Sequence, residues 1–354
     1  MNHTQNTRDI LLCHYKAYPE MQLCDIFKFI HQSSFGCEHS VSSYESASER
    51  IKEEYKNVCP QNMPLVEKLD GNYCRVHLSV LNGGMDAETL ARLFFMSAKK
   101  EKAGESALKE KLSCLRCLID EKLLPFGKEE FERESCRWES ENFAALHHSE
   151  RFRTAYKPAY RVISSEYVPF LPLFERLDIS LKKGCVKLCV DGGSASGKST
   201  LGKYLEEIYG CALFHMDDFF LRTEQRTLER YYEVGGNVDR ERFLEEVLLP
   251  LSAGKEVNYR RFDCSTMTVL DGVRVKPEKL NVIEGAYSMH KELEGYYDLS
   301  VFLDVDKTTQ KERILKRNSP EMAKRFFEEW IPLEEKYFSE TDIKNRCGMC
   351  IVIK

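Results

Sequence analysis

Eight residues near the middle of the chain, Gly192-Gly193-Ser194-Ala195-Ser196-Gly197-Lys198-Ser199, limit what it can fold into more than any other feature. They follow the apolar run CVKLCV and lead into STLGKYLEEIYG, whose apolar residues recur at helical spacing. A strand, a turn of small residues and a helix, in that order, form the context in which G-x-x-x-x-G-K-[ST] cradles a phosphate. Small side chains let successive backbone N–H groups curl around the anion, and the helix N-terminus adds partial positive charge. Lys198 is then expected to reach the β and γ oxygens and the Ser199 hydroxyl to face Mg²⁺, with Gly192 through Thr200 as the nucleotide contact. A glycine turn serving structure alone leaves the lysine unexplained. The expected ligand is a nucleoside triphosphate.

At 354 residues the chain is long enough for two domains, each with its own core. Its texture changes near residue 180. Before that point QLCDIFKFIHQSSFG, SYESASERIKEEYKN, the long stretch from Ala87 to Leu124 and KEEFERESCRWESENFAAL carry apolar residues at helical spacing with dense charge between them. Residues 1–180 are therefore expected to form a helix-rich domain. Within it, Asn72 to Leu81 alternates and ends at Asn82-Gly83-Gly84, which suits a strand or hairpin arm. After that point short apolar runs (ALFHM, LNVIEG, LSVFLDV) alternate with helical patterns, among them VDRERFLEEVLLPLSAG begun by Asp239 and TTQKERILKRN. Continuous apolar strands separated by helices indicate a parallel sheet covered on both faces. Residues 181–354 are expected to form an α/β domain, a doubly wound parallel sheet of the P-loop NTPase type.

Composition removes several function classes. With 52 Lys and Arg against 57 Asp and Glu, the net charge of −5 advertises neither a nucleic-acid nor a membrane partner. No stretch approaches the roughly 18 apolar residues of a membrane span, and MNHTQNTRDILLCHYK lacks the zones of a signal peptide, so a cytoplasmic location is expected. The fourteen cysteines are scattered and expected to be reduced. Cys114 and Cys117 repeat one face of a helical pattern, and Cys347 and Cys350 enter a terminal strand, so no metal site is assigned to either pair. The sequence leaves a homo-oligomer open.

In open α/β sheets ligands bind beyond the carboxyl ends of the strands. Three places there carry chemistry. ALFHM ends in Asp217 and Asp218 before Phe219 and Phe220; a carboxylate there suits a base for an attacking hydroxyl, although capping and core packing would also use these residues. LNVIEG ends in Glu284, suited to Mg²⁺ or to orienting the site, or else a cap of the next turn. Arg313, Lys316 and Arg317 share a helix face ahead of Lys324 and Arg325, as a basic flap over phosphates or as a solvated face. In the first half Glu38 with His39, Arg75 with His77, and His147 with His148 are candidates for a site, and Tyr156 to Ile163 for a surface assisting the other domain.

With those residues assembled, the segment from about Cys185 to Phe338 resembles the uridine kinase family of P-loop kinases, in the wider group that holds phosphoribulokinase and bacterial pantothenate kinase. The resemblance rests on DGGSASGKST, HMDDFF, GGNVDRERFLEEVLLPLSAGKEVNYRRFD, VIEGAY, RILKRN and RFFEEWIPLEEKYF, in that order. It implies ATP and Mg²⁺ as cofactors and a small-molecule hydroxyl acceptor, with the 5′-hydroxyl of uridine or cytidine as the expected target. Asp217 matches the family's catalytic aspartate, Glu284 its strand-end acid that serves the metal with Ser199, and Arg313 and Arg317 its lid arginines beside Lys198. Asp239 is implied near the ribose, and Tyr259 and Phe262 against the base. Two departures stand out: Asn237-Val238-Asp239 replaces a longer His-Pro-containing stretch, and no histidine follows Phe262-Asp263-Cys264-Ser265. Alternatives are a kinase for a non-nucleoside acceptor (pantothenate, glycerate or a sugar phosphate) and an ATP-binding regulatory switch.

Overall fold

The structure is a computed structural model that describes residues 3–37, 43–58, 64–100, 103–263 and 266–353. The chain forms two compact units, Met1–Leu171 and Pro172–Lys354.

In the first unit, apolar residues three and four apart build helices. Leu23, Ile26, Phe27 and Ile30 are all buried on one helix, and the same logic spaces the rest. The helices are α1 (His3–Ala17), α2 (Leu23–Phe35), α3 (Tyr44–Tyr55), α4 (Ala87–Ala98), α5 (Gly104–Asp120), α6 (Lys128–Ser140) and α7 (Glu150–Tyr156). They accompany a three-stranded antiparallel sheet of β1 (Val66–Lys68), β2 (Tyr73–His77) and β3 (Tyr160–Ser164), with β2 in the middle. The alternating stretch thus yields a strand over its first half only; Leu78–Gly83 turns into a 3₁₀-helix. Every residue of β2 is buried, because a central strand packed on both faces has no solvent side. The stretch from Tyr156 to Ile163 contains β3: Lys157 ends α7 at φ 42°, and Pro158 keeps the helix from continuing. Glu38 and His39 lie outside the described residues.

The second unit is an α/β fold built on a five-stranded parallel sheet. Its sheet contains β4 (Val186–Gly192), β5 (Ala212–His215), β8 (Leu280–Glu284), β9 (Leu299–Val305) and β10 (Met349–Ile353), all parallel, in the order β10-β9-β4-β8-β5. A hairpin of β6 (Val257–Asp263) and β7 (Thr268–Val275) stands outside it. Strand β4 is central. Its Leu188, Cys189 and Val190 are fully buried, which needs cover on both faces. Helix α8 (Leu171–Leu181) precedes the sheet. Helix α9 (Lys198–Tyr209) packs on β4, β5 and β8, while Cys189, Phe214, Ile283 and Phe302 join Phe243, Val247, Leu248 and Tyr337 in one core. Chain order reverses around β4, between β8 and β9, so the crevice at the carboxyl ends opens beside the glycine-rich turn that follows β4.

The helix begun by Asp239 is broken in a specific way. Asp239 caps Arg240–Phe243, a π-turn follows over Leu244–Leu248, and Leu249–Ser252 completes it. Pro250 has no N–H for the regular ladder, and the Leu249 N–H instead bonds the Leu244 carbonyl. Cys114 lies buried and Cys117 exposed on α5, both as free thiols. Among the described residues no helix is long and apolar enough to cross a membrane, and no group of three or more His, Cys, Asp or Glu is arranged to hold a metal.

Candidate active site

Strand β4 delivers the chain into the glycine-rich turn, and backbone geometry dictates its residues. Gly192 has φ 149°, and a Cβ there would sit 2.5 Å from the Leu303 carbonyl on β9. Only glycine fits that approach. Ala195 is itself left-handed at φ 59°, and Gly197 at φ 97° starts α9. The Lys198 ammonium folds back over the turn, donating to the carbonyls of Gly192 and Gly193 at 2.9 and 3.0 Å.

Side chains from later elements brace this turn. Gln310 donates to the Ser194 carbonyl at 2.9 Å and Arg313 to that of Ala195 at 3.2 Å, both from the helix Lys307–Arg317. Glu334, on the helix Ile331–Thr341, accepts from the Ser194 N–H at 2.9 Å and its hydroxyl at 2.6 Å. Burial pushes the Glu334 carboxyl upward against the pull of Lys198 and those bonds. Below the turn, the fully buried Asp191 accepts from the Gly192 and Met289 N–H groups and the Tyr337 hydroxyl. Burial outweighs these bonds and lifts its carboxyl to about 6.

Ser199, Glu284 and His215 meet beside the turn. Glu284 Oε1 accepts from the Ser199 hydroxyl at 3.0 Å and lies 2.6 Å from His215 Nδ1. Burial works against the Glu284 charge, but the His215 and Ser199 bonds and nearby Lys198 hold it below the usual carboxylate range. The same hydrogen bond raises the His215 imidazole. Asp217 follows at the end of β5 and lines a cavity, its side chain solvent-accessible although protein packs around it. That burial, with Glu284 and Asp218 nearby, raises its carboxyl against the pull of Lys198 and His215.

Ser199, Asp217, Glu284 and Glu334 line one cavity of about 520 Å³. Ser194, Ala195 and Gly197 through Thr200 form one wall, with Asp217, Glu284 and Arg317 around them. Phe220, Tyr231, Tyr287, Phe326 and Trp330 supply aromatic surface. Arg317 lies 5.6 Å from the Phe326 ring centroid. Gly192, Gly193 and Ser196 lie in the turn but do not line the cavity. Arg313 does not line it either and touches it through the loop carbonyl.

The three expected acceptor contacts sit elsewhere. Asp239 is 2% exposed, spent on capping the next helix and pairing with Arg242 at 3.3 Å. Tyr259 is buried against Phe214 and Phe219, its hydroxyl donating to Asp218 at 3.2 Å. Phe262 is buried near Arg226 on the hairpin strand β6. None lines the cavity, and Tyr259 belongs instead to the core cluster around Phe219. Three further residues of the site, His215, Gln310 and Glu334, are not among the sequence candidates. His215 stands two residues before Asp217 at a strand end, and Glu334, Tyr337 and Phe338 sit at one-turn spacing; both signals are present in the sequence.

No family model matches the chain, and no curated protein matches it. Among solved structures it is similar to a possible uridine kinase from Bacillus stearothermophilus, at 23% identity over 51% of this chain and 99% of that one, TM-score 0.38. It is also similar to shikimate kinase from Bacteroides thetaiotaomicron, at 15% identity over 47% of this chain and 85% of that one, TM-score 0.27. A third is deoxyadenosine kinase from M. mycoides with bound dATP, at 15% identity over 48% of this chain and 90% of that one, TM-score 0.24.

Proposed function

We propose that the second unit is an ATP-dependent kinase that transfers the γ-phosphoryl group to a hydroxyl of a small molecule, with the 5′-hydroxyl of uridine or cytidine as the favoured acceptor. One observation carries the reading: a Gly192–Ser199 phosphate loop, a base-like Asp217 and the Ser199–Glu284 pair converge on one cavity with aromatic walls. A phosphate-binding switch has no use for a carboxylate aimed at a hydroxyl.

The chemistry follows from these positions. Loop N–H groups and the α9 N-terminus would receive the phosphates, with Lys198 leaving its carbonyl partners for their oxygens. Ser199 and Glu284 present hard oxygens at 3.0 Å from one another, a donor set that fits Mg²⁺ held mostly by phosphate and water. Ser199 and Glu284 would hold the metal there, and it would supply charge neutralisation to the bound phosphates. Asp217, kept without a fixed partner, accepts the proton of the attacking hydroxyl as in-line transfer proceeds. Arg317 reaches the cavity from the helix Lys307–Arg317, where a cation offsets charge on the transferring group. Arg313 acts on the same group by fixing the loop through Ala195. Aromatic faces such as Tyr231 and Tyr287 suit a flat heterocycle.

The test is ADP release from MgATP with uridine, cytidine, pantothenate, glycerate and ribulose 5-phosphate as acceptors. Release confined to the two nucleosides supports the reading. Release confined to another acceptor keeps the kinase and overturns the nucleoside, and release with none overturns both.

A further inference from the structure

The first unit holds a second cavity, of about 440 Å³, formed by α2, α3, α7, β3 and the segment before α7. Among the described residues four cations line it, Lys28, Arg50, Arg153 and Arg161, against one carboxylate, Glu54. Glu54 is already taken by Arg161, at 2.8 Å. Arg50 and Arg153 make no side-chain hydrogen bond or ion pair among the described residues. Lys28 spends one of its three donors on the Leu146 carbonyl at 2.7 Å.

The inner wall is rigid and has few donors to spare. Asp25 accepts from Ser149 N–H and hydroxyl and lies 2.8 Å from His148 Nδ1. With Nδ1 holding the proton for Asp25, His148 Nε2 accepts from the Tyr160 hydroxyl at 2.6 Å. The His148 ring stacks on Phe152 at 4.2 Å, and the buried Arg75 guanidinium lies 4.6 Å from the Tyr160 centroid. Arg75 is itself held by Gln32 and Glu67. A closed network thus backs the cavity, and the uncommitted charged donors among the described residues belong to Lys28, Arg50 and Arg153. Burial, with a smaller push from Arg75 and against the pull of Asp25, lowers the Lys28 ammonium to about 8, and an anion beside it would stabilise its charged form.

We propose that this cavity is a binding site for a phosphate monoester. A concave site with low-dielectric walls and unbalanced cations focuses field on an anion. The arginine fork matches phosphate oxygens two at a time. A phosphate monoester carries about −1.5 to −2 charges at neutral pH, enough for two or three of these cations, whereas one carboxylate satisfies a single one. The volume admits a sugar-sized group beside the phosphate. The site lies wholly in the first unit, and the proposal is independent of the kinase reading.

The test uses the full chain carrying Lys198→Ala, which silences the phosphate loop, titrated calorimetrically at low salt. The probes are ribose 5-phosphate, inorganic phosphate, ribose and succinate. The expected result is saturable one-to-one binding of ribose 5-phosphate and none of ribose. Adding Arg50→Gln and Arg153→Gln should weaken binding roughly tenfold or more. Arg151→Gln, which removes the Glu20 pair outside the cavity, should leave it unchanged. Arg50 and Arg153 are both exposed, so an unchanged melting temperature is expected, and Lys28→Gln gives an independent second reading. No saturable binding, or equal affinity in the arginine and lysine variants, overturns the site. Succinate binding as tightly, or inorganic phosphate binding more tightly than the ester, overturns its assignment to a phosphate monoester.

Discussion

Replacing Asp217 by asparagine separates chemistry from binding in the second unit. The side chain faces the cavity and makes no hydrogen bond among the described residues, so an isosteric amide costs no structural contact. Its carboxyl is raised by burial and by Glu284 and Asp218, so above that raised value the folded state carries an unfavourable charge. Asp217→Asn removes that charge, and stability at neutral pH should be unchanged or slightly higher. Turnover is another matter. A positioned general base contributes about 10²- to 10⁴-fold, or roughly 3–5 kcal/mol at 1.36 kcal/mol per decade. The assay is steady-state ADP release, with MgATP affinity measured by calorimetry and folding by thermal melting. The expected result is kcat lower by two to four orders of magnitude with ATP affinity within about threefold, since Lys198 and the loop are untouched. A kcat within threefold of the parent refutes the assignment of the base. Loss of both ATP binding and stability would show instead that Asp217 holds the fold.

Three further predictions concern structure and titration. Gly192→Ala places a methyl 2.5 Å from the Leu303 carbonyl at φ 149°, and should cost on the order of 1–3 kcal/mol in denaturant unfolding; an unaltered midpoint would contradict the geometry. The His215 imidazole should titrate above a free histidine by NMR and move back down in Glu284→Gln. Because its folded value is raised, the stabilisation from this pair is present at acid pH and lost as pH rises through that value. In the first unit His148 is held neutral, with burial pushing it down to about 4. Stability there should therefore fall as pH drops from about 6.5 toward 4, and hydrogen exchange confined to the first unit that stays flat over that range would contradict this.

Much of the second unit is legible from its residues because strand, turn and helix there follow local rules. Gly192, Gly197 and Lys198 are set by backbone approach and the anion they would meet, so a short pattern reports them. Asp217 and Glu284 end apolar strands, and strand ends in a parallel sheet share one crevice. Acceptor contacts are a different problem. Tyr259 and Phe262 sit on a hairpin whose packing depends on Phe214 and Phe219, distant in sequence, and the pattern of aromatics does not say which face turns inward. The π-turn over Leu244–Leu248 likewise follows from Pro250, inside a stretch that periodicity reads as one regular helix. In the first unit β1 and α1 leave no clear pattern, since three residues are too few for a period and HTQNTRDILLCHYKA is mostly polar. The cations of its cavity come from separated segments, which no local pattern connects.

Phosphoryl transfer to an alcohol at the Lys198 loop can be followed by its label. The direct measurement follows γ-labelled ATP and Mg²⁺ with uridine or cytidine, tracing the label in the intact protein and in Lys198→Ala. Label is expected in a nucleoside monophosphate with the intact protein and none with the variant. Label found only as inorganic phosphate, or transfer that survives Lys198→Ala, would contradict it.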